Sequence, residues 1–250
     1  MQSLVNIHNA LQEQSQNTIR RELMDEIDWS HRIIGIKGFR GVGKTALLID
    51  IIKEKFLNDK SCLYVNLNNF YFTKRKIVSF ADEFYKTGGK TLILEQIHKY
   101  PGWAAELKSC YGNFPELQII FSASPVLRVL EENSELKDIA KIYHLEGFSF
   151  REYLNFQTNQ NFRSYKLSEI LTNHVAIARE ITQEVKPLAF FNDYLKTGYY
   201  PYFMDNKAFY SETLLKHINL ALEIDVTYLN QIDLQYLPKL RKLLQIIASQ

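Results

Sequence analysis

Eight consecutive residues, Gly38-Phe39-Arg40-Gly41-Val42-Gly43-Lys44-Thr45, have the types and spacing for phosphate chemistry. They fit the pattern of Gly, four residues, then Gly-Lys-Ser/Thr. Glycines at these positions let the backbone wrap with its N–H groups pointing inward at a phosphate. A helix opening at Lys44 adds its positive end to the same spot. Lys44 can reach the β- and γ-phosphates of a nucleoside triphosphate, and the Thr45 hydroxyl can ligate Mg²⁺. Gly38, Arg40, Gly41, Val42, Gly43, Lys44, Thr45 and Ala46 are therefore the candidate nucleotide-binding residues. The flanks agree: the apolar run RIIGI precedes the loop and the helical pattern ALLIDIIKEKF follows it.

Such a loop needs a second strand ending in a carboxylate that faces the metal. Two stretches compete for that role. Asp82-Glu83 has suitable residues, but they lie in the helical pattern of residues 77–86 behind Lys74-Arg75-Lys76, and read as a solvated helix face. Leu92-Ile93-Leu94-Glu95-Gln96 has the suitable context, an apolar strand behind Gly88-Gly89. There Glu95 is the candidate metal-side carboxylate beside Thr45, and Gln96 stands where a general base would be. A neutral amide cannot accept a proton from water, and a positioned base contributes roughly 10²–10⁴-fold. Slow hydrolysis with binding retained is the expectation. The competing assignment predicts instead that Asp82→Asn abolishes turnover while Glu95→Gln does little.

The elements that must position these groups alternate. Strands are predicted at 32–36, 62–67, 91–94, 117–122 and 141–148, with helices over 46–56, 77–86 and 103–111 between them. Strand–helix alternation over about 120 residues predicts an α/β fold, a mostly parallel five-stranded sheet covered on both faces. After Ser149 the strand signals fade into helical patterns, among them SFREYLNF, LSEILTNHVAIAREITQEV, ETLLKHINLALEI and LPKLRKLLQIIASQ. Residues 1–30 have rough helical spacing at Leu4, Ile7 and Leu11, then Ile19, Leu23 and Ile27. The predicted organisation is an N-terminal helical segment over 1–30, a nucleotide-binding core over 31–150 and a helical lobe over 151–250. The final helical pattern ends with the sequence, which suggests a chain that continues.

Composition narrows the class. Of 250 residues, 46% are hydrophobic and 23% charged, as in a soluble globular protein. The 30 Lys and Arg against 28 Asp and Glu give a net +2, which argues neither for nor against nucleic acid. Cys62 and Cys110 are too few for a disulfide framework or a four-ligand zinc site. No apolar run approaches a membrane span, and the first residues, MQSLVNIHNALQEQSQN, are polar where a signal peptide is apolar. A cytoplasmic location is expected.

Beyond the loop, the ordered set GFRGVGKTALL, LYVNLNNFYF, GGKTLILEQIHKYPGWAAELK, LQIIFSAS and YHLEGFSFREYL resembles the prokaryotic AAA-type P-loop ATPases of the AAA_14 family over residues 20–155, continuing weakly through KPLAFFNDYLKTGYYPYF. The resemblance implies ATP with Mg²⁺ as ligands, Glu95 as the Mg²⁺-side carboxylate, and Gln96 in the catalytic base position. It makes Ser122 a polar sensor near the γ-phosphate, so Lys44, Gln96 and Ser122 are the candidate catalytic set. The chain departs from the family at three places. The usual Asp-Glu is Glu95-Gln96, Asn68 stands where an aspartate is common, and Asp138-Ile139-Ala140-Lys141 replaces an arginine pair, leaving Lys141 as a weak substitute. Since an arginine finger is worth roughly 10³–10⁵ in rate, weak hydrolysis is implied again. The expected function is an ATP-dependent switch or assembly module, with a protein partner or homo-oligomer possible. The alternatives are an ordinary active ATPase and an ATPase that meets nucleic acid through a part beyond residue 250.

Weaker features read as structure. His98 fits a loop histidine bonded to backbone. Cys62 and Cys110 fit buried, inert thiols. Lys74-Arg75-Lys76 and Arg241-Lys242 fit solvated faces, and the Tyr and Phe residues of 189–210 fit a core between helices.

Overall fold

In a computed structural model, residues 1–13, 19–124, 136–204, 206–226 and 233–249 are described. Five strands, β1 (Ile33–Lys37), β2 (Cys62–Asn66), β3 (Thr91–Glu95), β4 (Gln118–Ala123) and β5 (Ala140–His144), form one all-parallel sheet in the order β2-β3-β4-β1-β5. The α/β fold expected of the sequence is the fold observed. Because β1 lies between β4 and β5, the chain leaves it at an interior position of the sheet, where a crevice opens at the strands' C-terminal ends.

Strand side chains alternate between two cores, as a sheet buried on both faces requires. Ile33, Leu63, Val65, Leu92, Leu94, Ile119 and Phe121 pack under α4 (Ile77–Lys86) and α5 (Trp103–Asn113). Ile34, Ile36, Tyr64, Ile93 and Ile120 pack under α3 (Lys44–Lys55), whose Leu47, Leu48, Ile51 and Ile52 face them. Cys62 and Cys110 are both buried, and burial pushes each thiol up to about 12. That keeps them protonated and inert.

At the amino terminus, α1 (Gln2–Glu13) crosses the edge strand β2, and the Tyr64 N–H donates to His8 Nδ1 at 3.1 Å. The second half of that segment departs from its spacing. Among the described residues 19–30, α2 (Leu23–Glu26) is the helical part, with Ile19 and Ile27 outside it; Ile19 packs into an aromatic cluster and Ile27 into the sheet core. Anchoring to two different cores overrides helical continuity.

The carboxyl-terminal half is helical, as its patterns predict: α6 (Phe150–Thr158), α7 (Leu167–Glu184), α8 (Leu188–Asp193), α9 (Tyr210–Leu220) and α10 (Leu237–Ala248). Its core is aromatic. Phe148, Tyr153, Phe203 and Tyr210 are buried together, with Phe190, Tyr194, Tyr200 and Tyr202 against them, so most aromatics of this stretch are indeed core. Helices α7 and α10 bury no residue. Among the described residues no helix is long and apolar enough to cross a membrane.

At Gly35, in the middle of β1, a Cβ would lie 2.6 Å from Phe121 Cζ and 2.5 Å from Ile142 Cδ1. Gly35→Ala is therefore expected to destabilise by about 1–3 kcal/mol through overpacking. The Gly35→Ala/Phe121→Leu double variant should cost less than the sum of the two single effects. Urea unfolding of the four proteins checks this.

Candidate functional site

Between β1 and α3 the chain turns through residues 38–43. A Cβ on Gly38 would lie 2.4 Å from the Leu145 carbonyl oxygen, so only glycine fits beside β5. Gly41 (φ +84°) and Gly43 (φ +96°) are left-handed, a conformation glycine adopts without penalty. The loop is braced from outside by Arg21, which is 6% exposed. Its guanidinium donates to the Val42 carbonyl (2.8 Å), to those of Glu146 (2.7 Å) and Gly147 (3.1 Å), and to Glu152 Oε1 (2.9 Å). Glu152 in turn closes a capping box with Ser149 at the start of α6.

Inside the loop, Lys44 Nζ donates to the carbonyls of Gly38 (2.7 Å) and Phe39 (2.8 Å). Burial, with Arg40 assisting, lowers its pKa to about 8, while Asp225 and Glu95 oppose the shift. Across the cleft Glu95 ends β3, 5% exposed. Its carboxylate accepts from the Thr45 and Tyr64 hydroxyls and from Asn66 Nδ2 at 2.7 Å. Thr45 and Glu95 are thus brought face to face, two hard oxygen donors of the kind Mg²⁺ takes.

Gln96 follows in a left-handed turn (φ +58°), and its N–H donates to Ser122 Oγ at 3.0 Å. Ser122, 1% exposed at the end of β4, therefore holds that turn as well as lining the cleft. Val42 is buried behind the loop. Arg40, Gly41, Gly43, Lys44, Thr45, Ala46, Glu95, Gln96 and Ser122 all line one cleft of about 480 Å³, within the range of small-molecule sites.

Three features differ from expectation. His98 also lines this cleft, and its buried Nδ1 makes no hydrogen bond, so it is not a loop histidine tied to backbone through that atom. Burial, then Lys99, lowers its pKa to about 4, with Lys44 and Arg40 assisting and Asp225 opposing; the ring is neutral. The Arg40 guanidinium does not reach into the cleft alone. It makes a bidentate pair with Asp225, which is 3% exposed, at 2.7 and 2.8 Å. The carboxyl-terminal half also closes over the loop. A Cβ on Gly41 would meet His217 Nδ1 at 2.7 Å and Tyr202 Cε1 at 2.9 Å.

Sequence reading missed Arg21, Tyr202, His217, Asp225 and Ser124, the last lining the cleft with its hydroxyl unbonded. No local pattern marks these residues: Asp225 lies 185 positions from Arg40 and Glu152 lies 131 from Arg21. The other candidates fall outside. Asp82 and Glu83 lie on α4, paired with Lys86 and Arg75. Lys141 is exposed on β5, and Asn68 is exposed after β2. Among the described residues, no group of three His, Cys, Asp or Glu could hold a metal ion.

The AAA_14 family, described as an AAA domain, matches residues 30–154, half of the chain. No curated protein matches it. Among solved structures, the S. cerevisiae Hsp104–ADP complex is 16% identical with a TM-score of 0.44, covering 60% of this chain and 26% of that one. AMPPCP-bound DnaA from Aquifex aeolicus is 19% identical (TM-score 0.40; 65% and 58%), and C. elegans PCH-2 is 15% identical (0.38; 71% and 46%). The chain thus spans between about a quarter and three-fifths of these proteins' lengths.

Two outcomes follow from the buried charges. Arg21→Met strands the Glu152 carboxylate and should cost about 3–5 kcal/mol, with Arg21→Met/Glu152→Leu costing less than the single change. Lys44 releases its proton near pH 8 when folded but near its ordinary 10.5 when unfolded. Between those values the unfolded chain binds more protons, so the Lys44 contribution to stability should rise with pH. The difference in urea midpoint between the natural chain and Lys44→Met should shift in favour of the natural chain from pH 8 to pH 10. Cys62 and Cys110, whose thiols burial pushes up, pull both proteins down together above about pH 9.

Proposed function

The chain belongs to the AAA_14 family of AAA domains, and from that premise we propose that it binds ATP with Mg²⁺ at residues 38–46, hydrolyses it slowly, and serves as a nucleotide-dependent switch. The observation that carries this reading is the hydrogen bond of Thr45 with Glu95 in the cleft that Lys44 also lines. On binding, Lys44 exchanges the Gly38 and Phe39 carbonyls for phosphate oxygens, and the loop N–H groups and the start of α3 face the same anion. Thr45 and Glu95 hold Mg²⁺, which when bound neutralises charge on the phosphates. Glu95 is kept in position for this by Tyr64 and Asn66.

Gln96, fixed by Ser122, orients water but cannot take its proton, so turnover is slow. The pairing of Asp82 with Lys86 on α4 supports Glu95 as the metal-side carboxylate. On this reading residues 31–150 are the nucleotide core, 1–30 brace it, and 151–250 respond to its occupancy. The response is supported by the contacts of Tyr202, His217 and Asp225 with the loop, because a phosphate and the Asp225 carboxylate compete for Arg40. An incoming polyanion therefore bears directly on the 221–226 segment that carries Asp225.

Two measurements test the reading. Lys44→Ala should weaken binding of a fluorescent ATP analogue at least tenfold. Gln96→Glu should raise phosphate release by roughly 10²–10⁴-fold. Brisk release by the natural chain, unchanged by Gln96→Glu, would overturn the slow-hydrolysis assignment, and affinity indifferent to Lys44 would remove the site itself.

A further inference from the structure

A second cleft, of about 560 Å³, lies beyond the C-terminal ends of β2 and β3. The charged residues that line it are Lys74, Arg75, Lys76 and Lys99, with no acidic residue among the lining. Arg75 is occupied by Glu83 and by the Tyr71 ring, 5.3 Å from its centroid. Lys74 and Lys76 are exposed and Lys99 is half-buried. Among the described residues none of these three lysines makes an ion pair.

Phe70 stands on the rim, 94% exposed. That exposure is built in rather than a consequence of a loose loop. The turn Phe70–Thr73 is pinned by Asn69 Oδ1, which accepts the Tyr71 N–H at 2.9 Å, and by Thr73 Oγ1, which donates to the Phe70 carbonyl at 2.8 Å. Phe72 from the same turn is buried and meets Phe80 edge-to-face at 5.3 Å. Two aromatics of the FYF run therefore anchor the turn so that the third points into solvent.

We propose that this cleft binds single-stranded nucleic acid, a base stacking on Phe70 while Lys74, Lys76 and Lys99 meet backbone phosphates. An open ring face ringed by unpaired cations matches a strand that alternates flat bases with anions, and it needs no particular sequence. The exposed Asn68 amide beside the ring offers both a donor and an acceptor to a base edge. An acidic peptide would match the lysines but has no regular flat face to set against Phe70. Binding here stands independently of the ATP reading. Its linkage to ATP rests on that reading and runs through short bonds. The Asn68 N–H donates to Asn66 Oδ1 (2.9 Å), Asn66 Nδ2 donates to Glu95 (2.7 Å), and the Lys99 N–H donates to the Gln96 carbonyl (2.9 Å).

The test is fluorescence anisotropy of labelled oligo-dT, about 20 nucleotides long, with the full chain at roughly 50 mM salt and upward. Phe70→Ala should weaken binding about tenfold with an unchanged melting temperature, and Phe70→Trp should keep it. Lys74→Ala/Lys76→Ala should weaken it and flatten the slope of log K against log salt by about 1.4, which is about 0.7 per lost phosphate contact. Without added nucleotide, Lys44→Ala, disabled in the ATP loop, should bind the oligonucleotide as the natural chain does, so that failure of the ATP site and failure of this one are told apart. Absence of binding, binding indifferent to Phe70 and the lysines, or displacement of oligo-dT by polyglutamate at equal charge concentration would overturn the proposal, the last in favour of an acidic peptide.

Discussion

Taking a guanidinium out of water costs several kcal/mol unless its donors are matched. Arg21 is matched by one carboxylate and three backbone carbonyls, drawn from the phosphate loop, from the turn after β5 and from α6. The loop has no ladder of its own, and its left-handed glycines would leave it many shapes in isolation. With the Val42 carbonyl held from one side and Gly38 pressed against Leu145, that freedom is gone before any ligand arrives. Preorganisation of this kind raises affinity by removing an ordering cost. Arg21 also explains why residues outside the sheet belong to the site: its removal would release the loop and α6 together.

How far the sequence could be read depended on how local each determinant was. β1, the glycine turn and α3 were legible because an apolar strand, three glycines and a helical repeat are adjacent in the chain. α4 matched its predicted range, residues 77–86, because Ile77, Phe80, Ala81 and Phe84 repeat at helical spacing and Gly88-Gly89 follows. In the segment 19–27 the helix is shorter than the spacing of its apolar residues, because Ile19 and Ile27 serve two different cores, and spacing does not report which core a side chain enters. His98 was misjudged because a histidine three residues past a strand looks the same whether its nitrogen finds a carbonyl or an open cleft. The Arg40–Asp225 pair was invisible for a plainer reason: only the fold brings residues so distant in sequence together.

Glu95 sits where two tasks meet. Its carboxylate faces Thr45 on the loop, and its backbone carbonyl accepts the Leu67 N–H that starts the segment after β2. Asn66 adds a second tie between the same two strands. A glutamate side chain is long and mobile, and here three side-chain donors, from Thr45, Tyr64 and Asn66, fix its reach. Gln96, the next residue, is fixed through its backbone instead, by Ser122.

The sheet has two edges, and they are treated differently. At β2, helix α1 lies across the strand and His8 takes up the Tyr64 amide. At β5, among the described residues, nothing pairs with the outer side of Ala140–His144. Backbone groups on such an edge are a template for another chain. What stands guard is the strand's own composition: it is short, and Lys141 and His144 are exposed upon it. Any strand added there would have to bury a lysine charge beside its own backbone, so this edge resists aggregation by electrostatics while the opposite edge does so by cover.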